Sequence, residues 1–186
     1  MNFLRKPFVA MLISAIFVIS STLLSVHIRL TAECREITDG FVDGIEYNGE
    51  YQNGIAYDLR RLNSNIKDIA DIAAGCGIDT EELLVKSEDL KLGLTYSSES
   101  ASYLYYCYEE LLVELRAVNG QIAEHELSDQ NKEVLNACNS IISEAQTSIS
   151  RSAYNETVRH FIRDNRGFPT EILADLAGVY MPEYFA

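Results

Sequence analysis

The residues of this 186-residue chain that could do chemistry are few and scattered. Three histidines, His27, His125 and His160, stand far apart. His125-Glu126 starts like a zinc-protease helix, but that site needs a second histidine four residues after the first, and position 129 is Asp129. The four cysteines, Cys34, Cys76, Cys107 and Cys138, include no pair at the short spacing of a structural zinc site. Glu81-Glu82 and Glu109-Glu110 are adjacent, so on a helix their side chains diverge by about 100° and suit a solvated face better than an acid/base pair. Asn155-Glu156-Thr157 fits the glycosylation tripeptide, which has meaning only in a host that glycosylates. The sequence therefore predicts no catalytic residue, no cofactor and no metal, and a protein that is not an enzyme.

A cluster of tyrosines is the one local feature that invites a binding role. Tyr103, Tyr105, Tyr106 and Tyr108 crowd one region of helix, with Tyr96 just upstream. They cannot all face one core. The simpler expectation is a central helix buried on several sides, with phenol hydroxyls reaching water or polar neighbours. The sharper one is a partner surface carried by Tyr103 and Tyr106, because tyrosine is favoured in interfaces.

The elements that hold these residues are helical. Ile55, Leu59, Leu62, Ile66, Ile69, Ala73 and Cys76 recur at steps of four and three, the rhythm of one helical face. Leu104, Tyr108, Leu111, Leu115, Val118 and Ile122 repeat it. Val134, Cys138, Ile141, Ala145 and Ile149 begin a third run, which Tyr154, Val158 and Phe161 extend into one long last helix. No stretch alternates like a strand. Asp79-Thr80-Glu81-Glu82 reads as a capping box, and Ser97 and Ser128 can open the next two helices. Gly44, Gly49 and Gly54 with Asn48 and Asn53 mark a loop or a loosely helical break. Arg163, Arg166, Gly167 and Pro169 together end the last long helix.

Upstream lies a segment of another kind. Phe8 to Val26 is 19 residues without a charge, preceded by Arg5 and Lys6. At about 1.5 Å per residue it spans roughly 28 Å, close to the hydrocarbon thickness of a bilayer. It is longer than the apolar stretch of a cleaved signal, and cutting after Ala32 or Ser25 leaves Leu30 or Leu23 where a small residue is wanted. Cys34 follows Glu33, which does not suit a lipoprotein signal. The expectation is a retained anchor through residues 8–26, with the basic tip in the cytoplasm by the positive-inside rule and the remainder outside. All 28 acidic residues lie beyond residue 32, and the chain as a whole carries −13. Such a surface repels phosphate backbones and argues against nucleic-acid binding.

The predicted fold class is all-α: a single transmembrane helix, then an antiparallel up-and-down bundle of about four long helices and a short C-terminal helix. The organisation expected is an anchor over 1–29, a membrane-proximal helix and Gly/Asn-rich break over 30–54, and the bundle over 55–186. The cysteines on apolar stripes are expected as buried free thiols, and Cys34, just past the anchor, as the best placed for an intermolecular bridge.

The last forty residues carry a more specific pattern. Arg151, Tyr154-Asn155, Val158, Phe161, then Phe168-Pro169, Ile172, Ala174, Gly178-Val179 and Tyr184-Phe185 resemble the closing signature of the LemA family. Arg60-Arg61 with Asn63 and Asn65 resembles the basic-pair region of its first bundle helix. Ile162 and Glu171 stand where that family usually carries asparagines. The resemblance implies a bacterial, N-terminally anchored helical bundle without established enzymatic activity. It implies a structural role for Tyr154, Asn155, Phe168, Pro169, Gly178 and Phe185. Phe168-Pro169 would turn the chain sharply, and Ile172, Leu173, Leu176 and Val179 would fold back as a lid on the bundle. The function expected is an envelope scaffold or protein-interaction module whose partners are the bilayer, other envelope proteins and further copies of itself. The alternative is an extracytoplasmic ligand-sensing bundle that signals through a partner.

Overall fold

The structure, a computed structural model, describes residues 7–96, 100–167 and 170–186. The expected roles of Arg5, Lys6, Ser97, Phe168 and Pro169 lie outside the described residues. The fold is all-α. Its helices are α1 (Pro7–Asp43), α2 (Ile55–Asn63), α3 (Ile66–Gly75), α4 (Glu81–Tyr96), α5 (Ala101–Ile122), α6 (Asp129–Arg151), α7 (Tyr154–Asn165) and α8 (Thr170–Ala177). Between α1 and α2 runs a two-stranded ribbon, β1 (Ile45–Tyr47) and β2 (Glu50–Gln52).

These elements form two discontinuous compact units. One comprises Met1–Ile37 and Val158–Pro182, the other Thr38–Thr157 and Glu183–Ala186.

In the first unit α1 is long and apolar enough to cross a membrane. Its 37 residues correspond to about 55 Å of helix. Phe8, Met11, Leu12, Ile16, Phe17, Ile19, Leu24 and Ile28 are all exposed, while Leu30 is fully buried. The change in character falls where the charge-free run ends. Beyond it His27 Nδ1 lies 2.9 Å from the Ala177 carbonyl, and Arg29 reaches Asn165 Oδ1 at 3.4 Å. α8 buries Ala174 but leaves Ile172 and Leu176 exposed, so these two do not act as the packed face of a lid. Gly167 and Gly178 both take positive φ. At Gly178 the C-terminal cap closes through Val179 N–H to the Ala174 carbonyl at 3.1 Å, a geometry a side chain resists.

The second unit is the bundle, and its cross-contacts fix helix directions. Lys86 pairs with Glu110 at 3.2 Å, whereas a Cβ on Gly93 would meet Leu104 at 2.9 Å and Tyr103 at 3.2 Å. Rising numbers on α4 meet falling numbers on α5, so the two run antiparallel. Gln52 meets Ala153 and Arg61 meets Glu144, which sets α2 antiparallel to α6 in the same way. The first two predicted stripes form the core: Leu59, Leu62, Ile66 and Ile69 on α2–α3, and Leu104, Leu111, Leu115 and Val118 on α5, are buried. In the third, Cys138 and Ala145 are buried, but Val134 is exposed and Ile142, not Ile141, is buried.

The structure corrects the sequence reading in three places. The stripe from Ile55 to Cys76 is carried by two helices, because Ser64 Oγ and Asn65 Nδ2 both donate to the Arg61 carbonyl, at 2.8 and 2.7 Å. Such local side-chain bonds offer the backbone an alternative to continued helix. The long last helix is likewise two, interrupted at Ser152-Ala153. The Gly/Asn-rich segment is a β-hairpin, with Asn48 and Gly49 at φ 54° and 81°, the conformation a two-residue Asn-Gly turn demands. Ser128 does cap α6, accepting from Asn131 N–H at 3.2 Å, and Asp79 Oδ1 accepts from Glu81 N–H at 3.0 Å.

Candidate functional site

The Ser152-Ala153 break gathers chain segments that are remote in sequence. Ending α6 there frees the Ala153 N–H, which donates to Gln52 Oε1 of the hairpin at 2.9 Å. The two residues that open α7, Tyr154 and Asn155, then face the segment 183–186. Tyr154 Oη donates to the Glu183 carbonyl at 2.9 Å. Asn155 Nδ2 donates to the Phe185 carbonyl and Asn155 Oδ1 accepts from the Phe185 N–H, each at 2.8 Å. One side-chain amide thus pairs with both backbone groups of one residue, as a neighbouring strand would.

The Phe185 ring completes the arrangement. It is 4% exposed and lies among three aromatic rings, Tyr105 at 5.2 Å, Phe41 at 5.8 Å and Tyr108 at 5.8 Å between centroids. Tyr154 closes against Phe41 edge-on at 5.0 Å. Edge-to-face and tilted rings at these separations are the favoured aromatic geometries. Phe41 belongs to the last turns of α1, so the helix that begins with the apolar run ends in this cluster.

Electrostatics adds a third anchor. Glu183 Oε2 accepts from Ser100 Oγ at 3.1 Å, from Ser102 Oγ at 2.5 Å and from Ser102 N–H at 3.3 Å. Ser100 is the N-cap of α5 and makes no cap bond of its own with its side chain, so Glu183 supplies the carboxylate that the positive helix end favours. The Ser102 hydroxyl bond, foremost, holds the Glu183 carboxyl below its ordinary value, against burial, which raises it. Burial first, and the Glu183 charge second, push the Tyr154 phenol up to about 12. Burial likewise pushes the Tyr108 phenol up. Tyr154 therefore stays protonated as a donor.

The site can recognise a peptide segment: backbone through Asn155, an aromatic side chain through Phe41, Tyr105 and Tyr108, and an acidic residue through the start of α5. The Ser100 and Ser102 hydroxyls donate to the Glu183 carboxylate and so fix its position at the start of α5. Among the described residues no group of three His, Cys, Asp or Glu side chains could hold a metal ion.

Of the residues singled out from sequence, Tyr154, Asn155 and Phe185 come together here. Gly178 caps α8 and takes no part. Tyr103 and Tyr106 are exposed on α5; Tyr103 lies over Gly93 of α4 and shares a hydrogen bond with the Cys107 thiol, which raises its phenol, whereas Tyr106 is 61% exposed. Phe41, Tyr105, Ser100, Ser102 and Glu183 were not singled out for this site. Tyr105 alone stood in a visible cluster, and nothing local in the sequence ties Ser100 or Ser102 to Glu183. Among the described residues the four cysteines form no disulfide, and Cys34, Cys107 and Cys138 are buried.

Compared with protein-family models, with curated proteins and with solved structures, the chain matches none.

Proposed function

We propose that this protein is a membrane-anchored, non-enzymatic helical bundle of LemA type, serving as an envelope scaffold or protein-interaction module. The observation that carries the reading is the exposed apolar surface of α1. Phe8, Met11, Ile16, Phe17 and Ile19 are exposed side by side, over a length that fits a bilayer. Left in water such a surface is a large unfavourable exposure; lipid covers it. The LemA assignment draws its support from the Tyr154-Asn155 and Phe185 pattern, whose members meet in one socket. With the basic tip inside, the acidic bundle faces the extracytoplasmic side, where its charge keeps it soluble. Reporter fusions after Ala186 test this arrangement: activity confined to an extracytoplasmic reporter is expected, and activity confined to a cytoplasmic one overturns it. Proximity labelling from the same position identifies the neighbours that a scaffold must have.

A further inference from the structure

The socket around Phe185 is built as a recognition site, yet what fills it is the chain's own segment 183–186. Three features set that segment apart from ordinary core packing. Its contacts are modular: one aromatic ring, one backbone amide pair and one carboxylate, each with its own receiver on the bundle. The stretch before it, residues 179–182, has no regular structure. Tyr180 in that stretch is 92% exposed, and no hydrogen bond of Tyr180, Met181 or Pro182 is found among the described residues. Finally, the division between the two compact units falls between Pro182 and Glu183, so the segment belongs to a different unit from the residues that lead into it.

An arm of this kind, docked by self-contained contacts at the end of an irregular connection, is the element that identical chains exchange at low cost. Every group the socket reads is present on a second copy in the same order. We propose that the socket accepts residues 183–186 of a second copy, so that two copies pair by exchanging this segment. The inference leans on the anchoring reading in one respect. Copies held in one membrane meet at a raised effective concentration, which lets an exchanged segment compete with its own.

Complementing variants of the full chain test the exchange. One tagged copy carries Asn155→Ala, which breaks the socket and keeps the segment; the other carries Phe185→Ala, which breaks the segment and keeps the socket. Co-expressed and extracted in mild detergent, this pair retains one intact socket and one intact segment, on different chains. Capture through one tag should recover the other copy at least fivefold above a pair in which both copies carry Asn155→Ala. Equal recovery from the two pairs overturns the proposal. If Phe185→Ala lacks a cooperative melt, Glu183→Ala takes its place, because it weakens the segment at an exposed residue and leaves the aromatic cluster filled.

A second measurement needs no co-expression. A fluorescent peptide of residues 179–186 is titrated onto the full chain in detergent micelles. Binding to Phe185→Ala or Glu183→Ala should be at least tenfold tighter than to the unaltered chain, whose own segment competes. No saturable binding to either folded variant overturns the proposal. Alkaline extraction of membranes reports anchoring separately, so failure of the exchange is not confused with failure of the anchor.

Discussion

Asn155 and Phe185 are paired as two strands are, with a side-chain amide standing in for one backbone. Both bonds measure 2.8 Å, and they require the Asn155 oxygen and nitrogen in one fixed orientation.

That orientation makes the chemistry of position 155 specific. Asn155→Asp keeps an acceptor for the Phe185 N–H but places a second acceptor against the Phe185 carbonyl. Asn155→Ala removes both partners and leaves the Phe185 groups to water or to nothing. Each is expected to lower stability by about 1 to 3 kcal/mol. Hydrogen exchange at the Phe185 amide should accelerate more in Asn155→Ala, where the acceptor is gone, than in Asn155→Asp. Equal protection in all three chains would show that the pairing contributes nothing.

Acid should release the same segment through Glu183. Its carboxyl is held below the ordinary value of 4.5. Because the folded value is the lower one, the stabilisation is fully present above the unfolded value and disappears as pH falls through the folded value. Melting curves of the unaltered chain and of Glu183→Gln should therefore differ at pH 7 and converge below about pH 4.5. A difference that persists to the lowest measurable pH contradicts the assignment.

Alkali acts at Tyr154 with the opposite sense. Its phenol is pushed from 10 up to about 12, so it favours the folded state while protonated. That contribution is intact below pH 10 and declines as pH rises through 12, by about 2 to 3 kcal/mol in all. Tyr154→Phe lacks it. The stability advantage of the unaltered chain over Tyr154→Phe should shrink between pH 10 and 12, measured by denaturant midpoints. An advantage that stays constant over that range would show the phenol is not protected.

The hairpin offers a test of close packing. Gly54 has an ordinary extended φ of −66°, so conformational freedom does not explain it. Space does: an added Cβ would run into the Val42 carbonyl oxygen and come within 2.6 Å of the Val42 carbonyl carbon and 2.7 Å of the Phe41 oxygen. These are backbone atoms and cannot swing aside. At Gly49 nothing lies within 4 Å, but φ is +81°. Gly49→Ala should cost about 1 to 2 kcal/mol through backbone strain alone, and Gly54→Ala more than that. The reverse order, read from thermal melts, would mean the start of α2 does not press on the end of α1.

Much of this fold is legible in the sequence, for identifiable reasons. The stripes through Leu59, Leu104 and Leu111 name core residues because burial on a helix has a fixed period. Asp79 and Ser128 announce helix starts because their partners lie two or three residues away. The hairpin is not read from the sequence, although Asn48-Gly49 is a strong turn signal, because strands of three residues are too short to display alternation. The break at Ser64 escapes a periodic reading, since the apolar rhythm passes through it unchanged, whereas at Ser152 the step from Ile149 to Tyr154 is five and the rhythm slips. The socket is the least legible part. Tyr154 and Asn155 sit beside each other, yet Glu183 lies 81 residues from Ser102 and Phe41 lies in the helix that begins with the charge-free apolar run. Only the three-dimensional path brings them together.

The proposed anchor can be tested at its centre. Ile16 is exposed near the middle of the charge-free run, where translocation scales rate isoleucine as favourable by about 0.5 kcal/mol and arginine as unfavourable by about 2.5 kcal/mol or more. Ile16→Arg should therefore weaken insertion by about 3 kcal/mol, roughly a hundredfold in the partition between membrane and water. Alkaline extraction should move a large share of the variant into the soluble fraction. Ala123→Arg, at an exposed bundle position, should leave the partition unchanged. An epitope placed before Met1 separates a permanent anchor from a signal that is cut away. If the membrane-bound protein keeps the epitope, the segment is a tether; if the exported body has lost it, insertion was only a step in export, and the exchange of residues 183–186 would have to proceed without the concentration that a shared membrane provides.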